Sequence, residues 1–234
     1  MFHDLWPGGP KFKQTDAAFP LSTDSVLLAD FAGKIKARRI LDLGCGAGAL
    51  CVLLRVSHPD AEIGGIEVQP EAAALARENL EGNGFDASGI VTGDLREHRT
   101  LWKAGAFDLV VSNPPYFPAG SGKRAPNPSR AAAREESCTP DELCAAAAYL
   151  CKNGGAFALV HRPARLSELF CAMTAHGLEP KRLRLVQYRA GYAPNLVLIE
   201  GRRGGKPGLD IEKPLILCDD GGESEEYKRI YHKE

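Results

Sequence analysis

Asn113-Pro114-Pro115-Tyr116 follows directly on the apolar run Phe107 to Val111, and these residue types together suit the holding of a planar amino group. The Asn113 side-chain oxygen and the Pro114 carbonyl can each accept a hydrogen bond from an exocyclic NH2, while the Tyr116 ring offers a face for a base or an amide plane. Accepting both protons localises the nitrogen lone pair. A nitrogen ordinarily conjugated into a ring or an amide then becomes a nucleophile directed out of the plane, and holding it in line with an electrophilic methyl does much of the catalysis. Paired prolines fix φ and carry no N–H, so a strand running into them must stop. Asn113 and Tyr116 therefore fall at a strand's carboxyl end, where open α/β sheets bind ligands. An isolated Asn-Pro-Pro also marks an ordinary turn, so the elements around it have to decide.

Those elements read as alternating strands and helices. Arg39-Ile40-Leu41-Asp42-Leu43 enters the glycine turn Gly44-Cys45-Gly46-Ala47-Gly48, and a helix follows over Ala49 to Val56. Glycines let the backbone approach a ligand closely at a helix N-terminus. NAD, FAD or a plain tight turn would satisfy that string equally, but Asp42 inside the strand would repel a pyrophosphate and attract an aminocarboxylate with a positive amino group. The strand Ile63 to Glu67 ends about twenty residues past the glycines, the spacing at which a carboxylate meets a ribose diol. A helix over Pro70 to Asn83 leads to a strand over Ile90 to Leu95, whose end presents Asp94, either to an adenine amino group or as a simple cap. Acids at the ends of successive strands in a βαβαβ pattern line one crevice. Cys45 lies beside the turn and reads as a small packed residue rather than a nucleophile.

The segment Phe117 to Ser137 is rich in Gly, Pro and Ser and carries Lys123, Arg124, Arg130 and Arg134, cations that suit phosphates beside the amino pocket as well as a solvated loop. Further along, a helix over Thr139 to Leu150, a strand over Ala156 to His161 and a helix over Leu166 to Ala175 are expected. Strands over Arg182 to Tyr188 and Leu196 to Gly201 follow, joined by a hairpin-like Arg189 to Asn195. Ser22-Thr23-Asp24 offers caps for a helix through Val26 to Phe31, with Thr23 and Asp24 read as capping residues. The organisation expected is an irregular arm over 1–20, one domain over 21–206, and a tail over 207–234 that becomes charged and mobile.

At 234 residues, 44% hydrophobic and 25% charged, the chain can bury a full core, and its net charge of -1 requires that any nucleic acid be met by a local patch. No apolar run has the length of a membrane span and no leader is evident, so a cytoplasmic location is expected. The 7 cysteines are scattered without C-x-x-C spacing and the 6 histidines without H-E-x-x-H, so neither a disulfide framework nor a metal site is expected.

Taken together, Asp42 to Gly48, Glu67, Asp94 and Asn113 to Tyr116 resemble the class I S-adenosylmethionine-dependent amino-methyltransferases. Phe19 to Asp24, Tyr116 to Lys123 and Val160-His161-Arg162-Pro163 are similar to the bacterial tRNA adenine N6-methyltransferase family, which methylates the adenine beside the anticodon of valine tRNA. The resemblance implies a Rossmann-like α/β fold, with a seven-stranded, mostly parallel sheet and helices on both faces. It further implies S-adenosylmethionine as cofactor and S-adenosylhomocysteine as product. Asp42, Gly44, Cys45 and Gly46 would then surround the aminocarboxypropyl group, Glu67 the ribose hydroxyls and Asp94 the adenine, with Asn113 facing both cofactor and target. Asn113, Pro114 and Tyr116 would hold the amino group of a flipped-out base, and Thr23 or Asp24 would help to close over the cofactor. Other readings remain open at this point. They are methylation of a glutamine amide as in the release-factor enzymes, DNA adenine methylation, and a non-catalytic RNA-binding module that keeps the fold.

Overall fold

Apolar runs that stop at glycine, acid or proline build one large sheet with helices packed on both faces. The computed structural model describes residues 1–15, 21–116 and 138–233. In chain order these form β1 (Phe2–Asp4), β2 (Lys11–Lys13), α1 (Thr23–Gly33), β3 (Arg39–Leu43), α2 (Ala49–Ser57), β4 (Glu62–Glu67), α3 (Pro70–Glu81) and β5 (Ile90–Thr92). Then come α4 (His98–Leu101), β6 (Phe107–Ser112), α5 (Pro140–Leu150), β7 (Cys151–His161), α6 (Leu166–Ala175), β8 (Leu178–Gln187) and β9 (Leu196–Arg203). The chain closes with β10 (Asp210–Ile211), β11 (Leu215–Ile216), β12 (Cys218–Asp219), β13 (Gly222–Glu223) and α7 (Glu225–Ile230).

The sheet order is β10-β8-β9-β7-β6-β3-β4-β5, with β11 also paired to β8. Strands β3, β4, β5, β6 and β7 are mutually parallel, while β9 runs antiparallel to both β7 and β8. The carboxyl ends of β3, β4 and β6 consequently share one edge, and Ser112 Oγ ties two of them by donating to the Leu43 carbonyl at 2.7 Å. Local signals account for the helix starts. Ser22 caps α1, Pro70 opens α3, and Thr139 with Glu142 forms a capping box on α5.

Period-two alternation splits the core between the two faces of the sheet. Ile40, Leu109, Val111, Ala156, Ala158 and Val160 pack with residues of α1 and α2. Leu41, Val110, Phe157 and Leu159 pack with α5 and α6 on the other face. Fully buried side chains such as Phe157 and Leu109 each contribute roughly 1.5–3 kcal/mol by leaving water.

Several expectations need correction. Among the described residues the sheet has nine strands rather than seven, because the tail adds β10 and β11 in parallel alongside β8. The strand expected to reach Leu95 ends at Thr92. The arm is not irregular throughout, since β1 and β2 form a hairpin held by α3, where Asn83 and Asn79 accept from the backbone of Lys11 and Lys13 at 2.7 Å each. The tail reads as mobile because it is charged, yet its charges meet partners in the domain. Glu212 pairs with Arg182 at 3.1 Å and Glu226 with Arg184 at 2.7 Å, while Leu215 and Ile230 enter the core. Phe19, Lys123, Arg124, Arg130 and Arg134 lie outside the described residues.

Candidate active site

At the end of β3 the chain turns back through three left-handed glycines, Gly44 (φ 78), Gly46 (φ 53) and Gly48 (φ 81), a conformation that other residues adopt only with strain. The turn is fixed to β4. Gly44 N and Cys45 N donate to the Ile66 carbonyl at 2.9 and 3.0 Å. Gly46 N donates to Glu67 Oε2 at 2.9 Å, and Gln69 N to Oε1 at 2.9 Å. Glu67 is thereby held at the glycine turn, which is where the sequence expects a ribose ligand. Cys45 is buried and faces Gly65, where even a Cβ would come within 2.7 Å of its side chain. A hydrogen bond donated to Cys51 and burial raise its thiol pKa. Its side chain is a core contact.

Asp42 is 2% exposed, and its Oδ1 has no hydrogen-bond partner among the described residues. Burial first, and the charge of Glu67 second, raise its carboxyl pKa well above the ordinary range. An orphaned acceptor beneath a glycine turn is costly unless a donor arrives. The donor that suits it best is cationic, and a second acid lies close by for a diol. The donor set therefore fits an aminocarboxylate nucleoside and would repel a pyrophosphate.

Gly44, Glu67, Gly93, Asp94 and Cys138 line one crevice beside the turn. Asp94 is nevertheless turned to its own neighbour: its Oδ1 accepts from Arg96 N at 2.9 Å, capping a short 3-10 turn, and its carboxylate pairs with the Arg96 guanidinium. The Arg96 hydrogen bond lowers its pKa. Of the two sequence readings, this arrangement displays the cap.

The Asn-Pro-Pro-Tyr turn is gripped by the start of α1. Asn113 Nδ2 donates to Ser25 Oγ at 2.9 Å and lies 3.4 Å from Ser22 Oγ. The Tyr116 hydroxyl lies 2.5 Å from Asp24 Oδ2 and 3.0 Å from Asn113 Oδ1. A phenol has one proton, and the shorter, charged acceptor takes it, so Asn113 Oδ1 keeps its acceptor capacity. Burial and the Asp24 carboxylate hold the Tyr116 pKa far above its ordinary value. Asp24 is thus no helix cap, since Ser22 fills that place.

One face of Tyr116 is covered by the Arg162 guanidinium, 4.7 Å from the ring centroid, and His161 packs at 5.1 Å and 60°. Burial and the charge of Arg165 push the His161 pKa down to about 4, and its Nδ1 accepts from Arg162 N at 2.8 Å. Sequence reasoning noticed the stretch Val160 to Pro163 without assigning its residues a role, and it missed Ser25 altogether. Nothing local marks Ser25, because its partner lies 88 residues away.

Asp42, Gly44, Gly46, Glu67, Asn113 and Tyr116 thus converge on one sheet edge. Among the described residues no group of His, Cys, Asp and Glu could hold a metal ion, and no helix is long and apolar enough to cross a membrane.

Comparison with known proteins bears on this geometry. The family model for the methyltransferase small domain matches residues 21–168. The tRNA1(Val) (adenine(37)-N6)-methyltransferase of Porphyromonas gingivalis is 35% identical over 197 residues, covering 81% of this chain and 76% of that protein. The protein of the same description from Serratia proteamaculans is 31% identical over 95% of this chain and 88% of its own. In fold, the chain is similar to a predicted O-methyltransferase from Agrobacterium tumefaciens. The TM-score is 0.73 at 22% identity, with 90% of this chain and 96% of that one covered.

Proposed function

The chain belongs to the methyltransferase small domain family, and from that premise we propose that it methylates the exocyclic N6 of an adenine in tRNA, beside the anticodon, on a base flipped out of its stack. Relatives described as tRNA1(Val) (adenine(37)-N6)-methyltransferases support the substrate. The observation that carries the chemistry is the Asn113 amide, whose NH2 is engaged by Ser25 at 2.9 Å, leaving its oxygen as the acceptor for an incoming amino group.

S-adenosylmethionine, when bound, supplies an electrophilic methyl on a sulfonium. Asp42 Oδ1 would accept from its amino group, Glu67 from its ribose hydroxyls, and the Gly44 to Gly46 backbone would lie against it. Asn113 Oδ1 and the Pro114 carbonyl accept the two protons of the target amino group and turn its lone pair out of the base plane. Asp24 holds the Tyr116 hydroxyl and so keeps Asn113 Oδ1 open. The base takes the place of the Arg162 guanidinium on the Tyr116 ring. No general base is required before attack, because the nitrogen becomes acidic only after alkylation, and water can then remove the proton. Bases in loops are unstacked at lower cost than those in duplexes, which favours an anticodon loop as target.

The test is transfer of labelled methyl from S-adenosylmethionine to unmodified bulk tRNA and, in parallel, to unmodified release factor, with nucleoside analysis of the product. Labelled N6-methyladenosine is expected. Label in the protein alone would move Asn113 and Tyr116 onto a glutamine amide and overturn the reading.

A further inference from the structure

The hairpin between β8 and β9 opens on the catalytic edge of the sheet. Val197 of β9 pairs with His161, and Leu159 of the same β7 strand pairs with Ser112, the residue before Asn113. The loop 188–195 therefore leaves the sheet beside the Asn-Pro-Pro-Tyr turn. Arg162 links the two directly, with its guanidinium over Tyr116 at 4.7 Å and its NH1 donating to the Asn195 carbonyl at 2.9 Å.

This loop carries the two most exposed aromatic side chains among the described residues, Tyr188 at 53% and Tyr192 at 60%. Water-facing tyrosines bring no stability by burial, so packing does not account for them. Nor is the loop a loose tip. Tyr192 N donates to the Arg189 carbonyl at 3.1 Å, Asn195 N to Val186 at 3.0 Å, and Cys218 N to Tyr188 at 2.8 Å. Gln187 Nε2 donates to the Tyr192 carbonyl at 2.7 Å. The Arg189 guanidinium lies 6.0 Å from the Tyr188 ring. A braced loop with exposed rings and a cation presents stacking surface at little cost in ordering. Residues 188–195 contain no acid. Cys218, which donates to the Tyr188 carbonyl, is followed in the chain by Asp219 and Asp220, so phosphate contact is favoured at Arg189 and Arg162 rather than at that strand.

We infer that loop 188–195 together with Arg162 is a single-stranded RNA platform. The unpaired nucleotides flanking the target base stack on Tyr188 and Tyr192, and Arg162 and Arg189 meet their phosphates. This inference rests on the tRNA reading above and adds to it the residues that hold the substrate outside the amino pocket.

The test compares the full-length wild type with Tyr188→Ala/Tyr192→Ala, Tyr188→Phe/Tyr192→Phe and Arg189→Gln. Binding of a fluorescent, unmodified anticodon stem-loop and labelled methyl transfer to unmodified tRNA are measured. Thermal melting and S-adenosylmethionine titration serve as controls of folding. The alanine pair should weaken RNA binding about tenfold per ring and raise the KM for tRNA in step, while the phenylalanine pair stays within about twofold. Arg189→Gln should reduce the salt slope of binding by about 0.7, the value for one single-strand phosphate. An alanine pair that binds RNA and methylates tRNA like the wild type overturns the inference, as does a phenylalanine pair that loses as much as the alanine pair. A wild type that neither binds nor methylates tRNA would bring down the parent reading and this inference together.

Discussion

The decisive contacts are single hydrogen bonds that assign one proton to one acceptor. Asn113→Ala should lower methyl transfer about a hundredfold or more with S-adenosylmethionine affinity nearly intact, as single-turnover assay and calorimetry would read. Equal losses in both would make Asn113 a structural residue. Asp24→Asn frees the Tyr116 proton to engage Asn113 Oδ1, 3.0 Å away, so kcat should fall by about tenfold with cofactor binding preserved. Unchanged turnover would show that Asp24 does not govern this proton. Asp42 has the opposite balance. Its pKa is raised in the folded chain, so the folded state binds the proton more tightly than the unfolded one, and stability falls as pH rises above about 4. Asp42→Asn should therefore raise the melting temperature of the ligand-free protein at neutral pH while weakening cofactor binding. A variant that melts lower and binds normally contradicts that account.

Between residues and fold, the glycine turn and the start of α1 each set a geometry that no side chain sets alone. Gly65 leaves room for Cys45, since an added Cβ would lie 2.7 Å from its side chain. Gly65→Ala should cost about 1–3 kcal/mol by overpacking, and Cys45→Ala introduced with it, which removes the Sγ contact but keeps the equally close Cβ, should recover only the sulfur's share of that loss. Denaturant melts of the two single variants and the double variant read this as a double-mutant cycle. Simple additivity would mean that the two positions are independent. The first turn of α1 joins parts of the site far apart in sequence, because Ser22, Asp24 and Ser25 reach Asn113 and Tyr116 across about ninety residues.

The whole molecule holds α1 in place through its tail. Arg229 pairs with Asp30 of α1 at 2.9 Å, Ile230 and Leu215 are buried with α1 in one cluster, and Trp6 of the arm stacks on His232 at 4.1 Å. Removing residues 209–234 exposes the apolar surface those two side chains cover and should cost at least about 3 kcal/mol, with methyl transfer lost as α1 loosens. A truncated chain with wild-type melting and turnover would show that the tail is dispensable. Acid should also act globally through His161. Its folded pKa of about 4 lies below the ordinary 6.5, so it is buried neutral. Its contribution is present above pH 6.5 and is lost as pH falls through about 4, up to roughly 3 kcal/mol. His161→Gln should flatten the stability profile across that window.

Much of this was legible in the sequence, because strands and helices are set by local periodicity and by prolines, glycines and caps that act over a few residues. The seven strands from Arg39 to Arg203, the glycine turn ending at Gly48, and the carboxylates of Asp42 and Glu67 at adjacent strand ends all follow from such short-range rules. Tertiary structure decided what depends on distant partners. It turned Asp94 onto Arg96, took Asp24 from the cap and gave it to Tyr116, and laid Arg162 over the Tyr116 ring. It also folded a charged tail onto β8 and α1 by giving its charges partners elsewhere in the chain. A side chain's role depends on which groups the fold brings within about 3 Å of it, and no spacing along the chain carries that information.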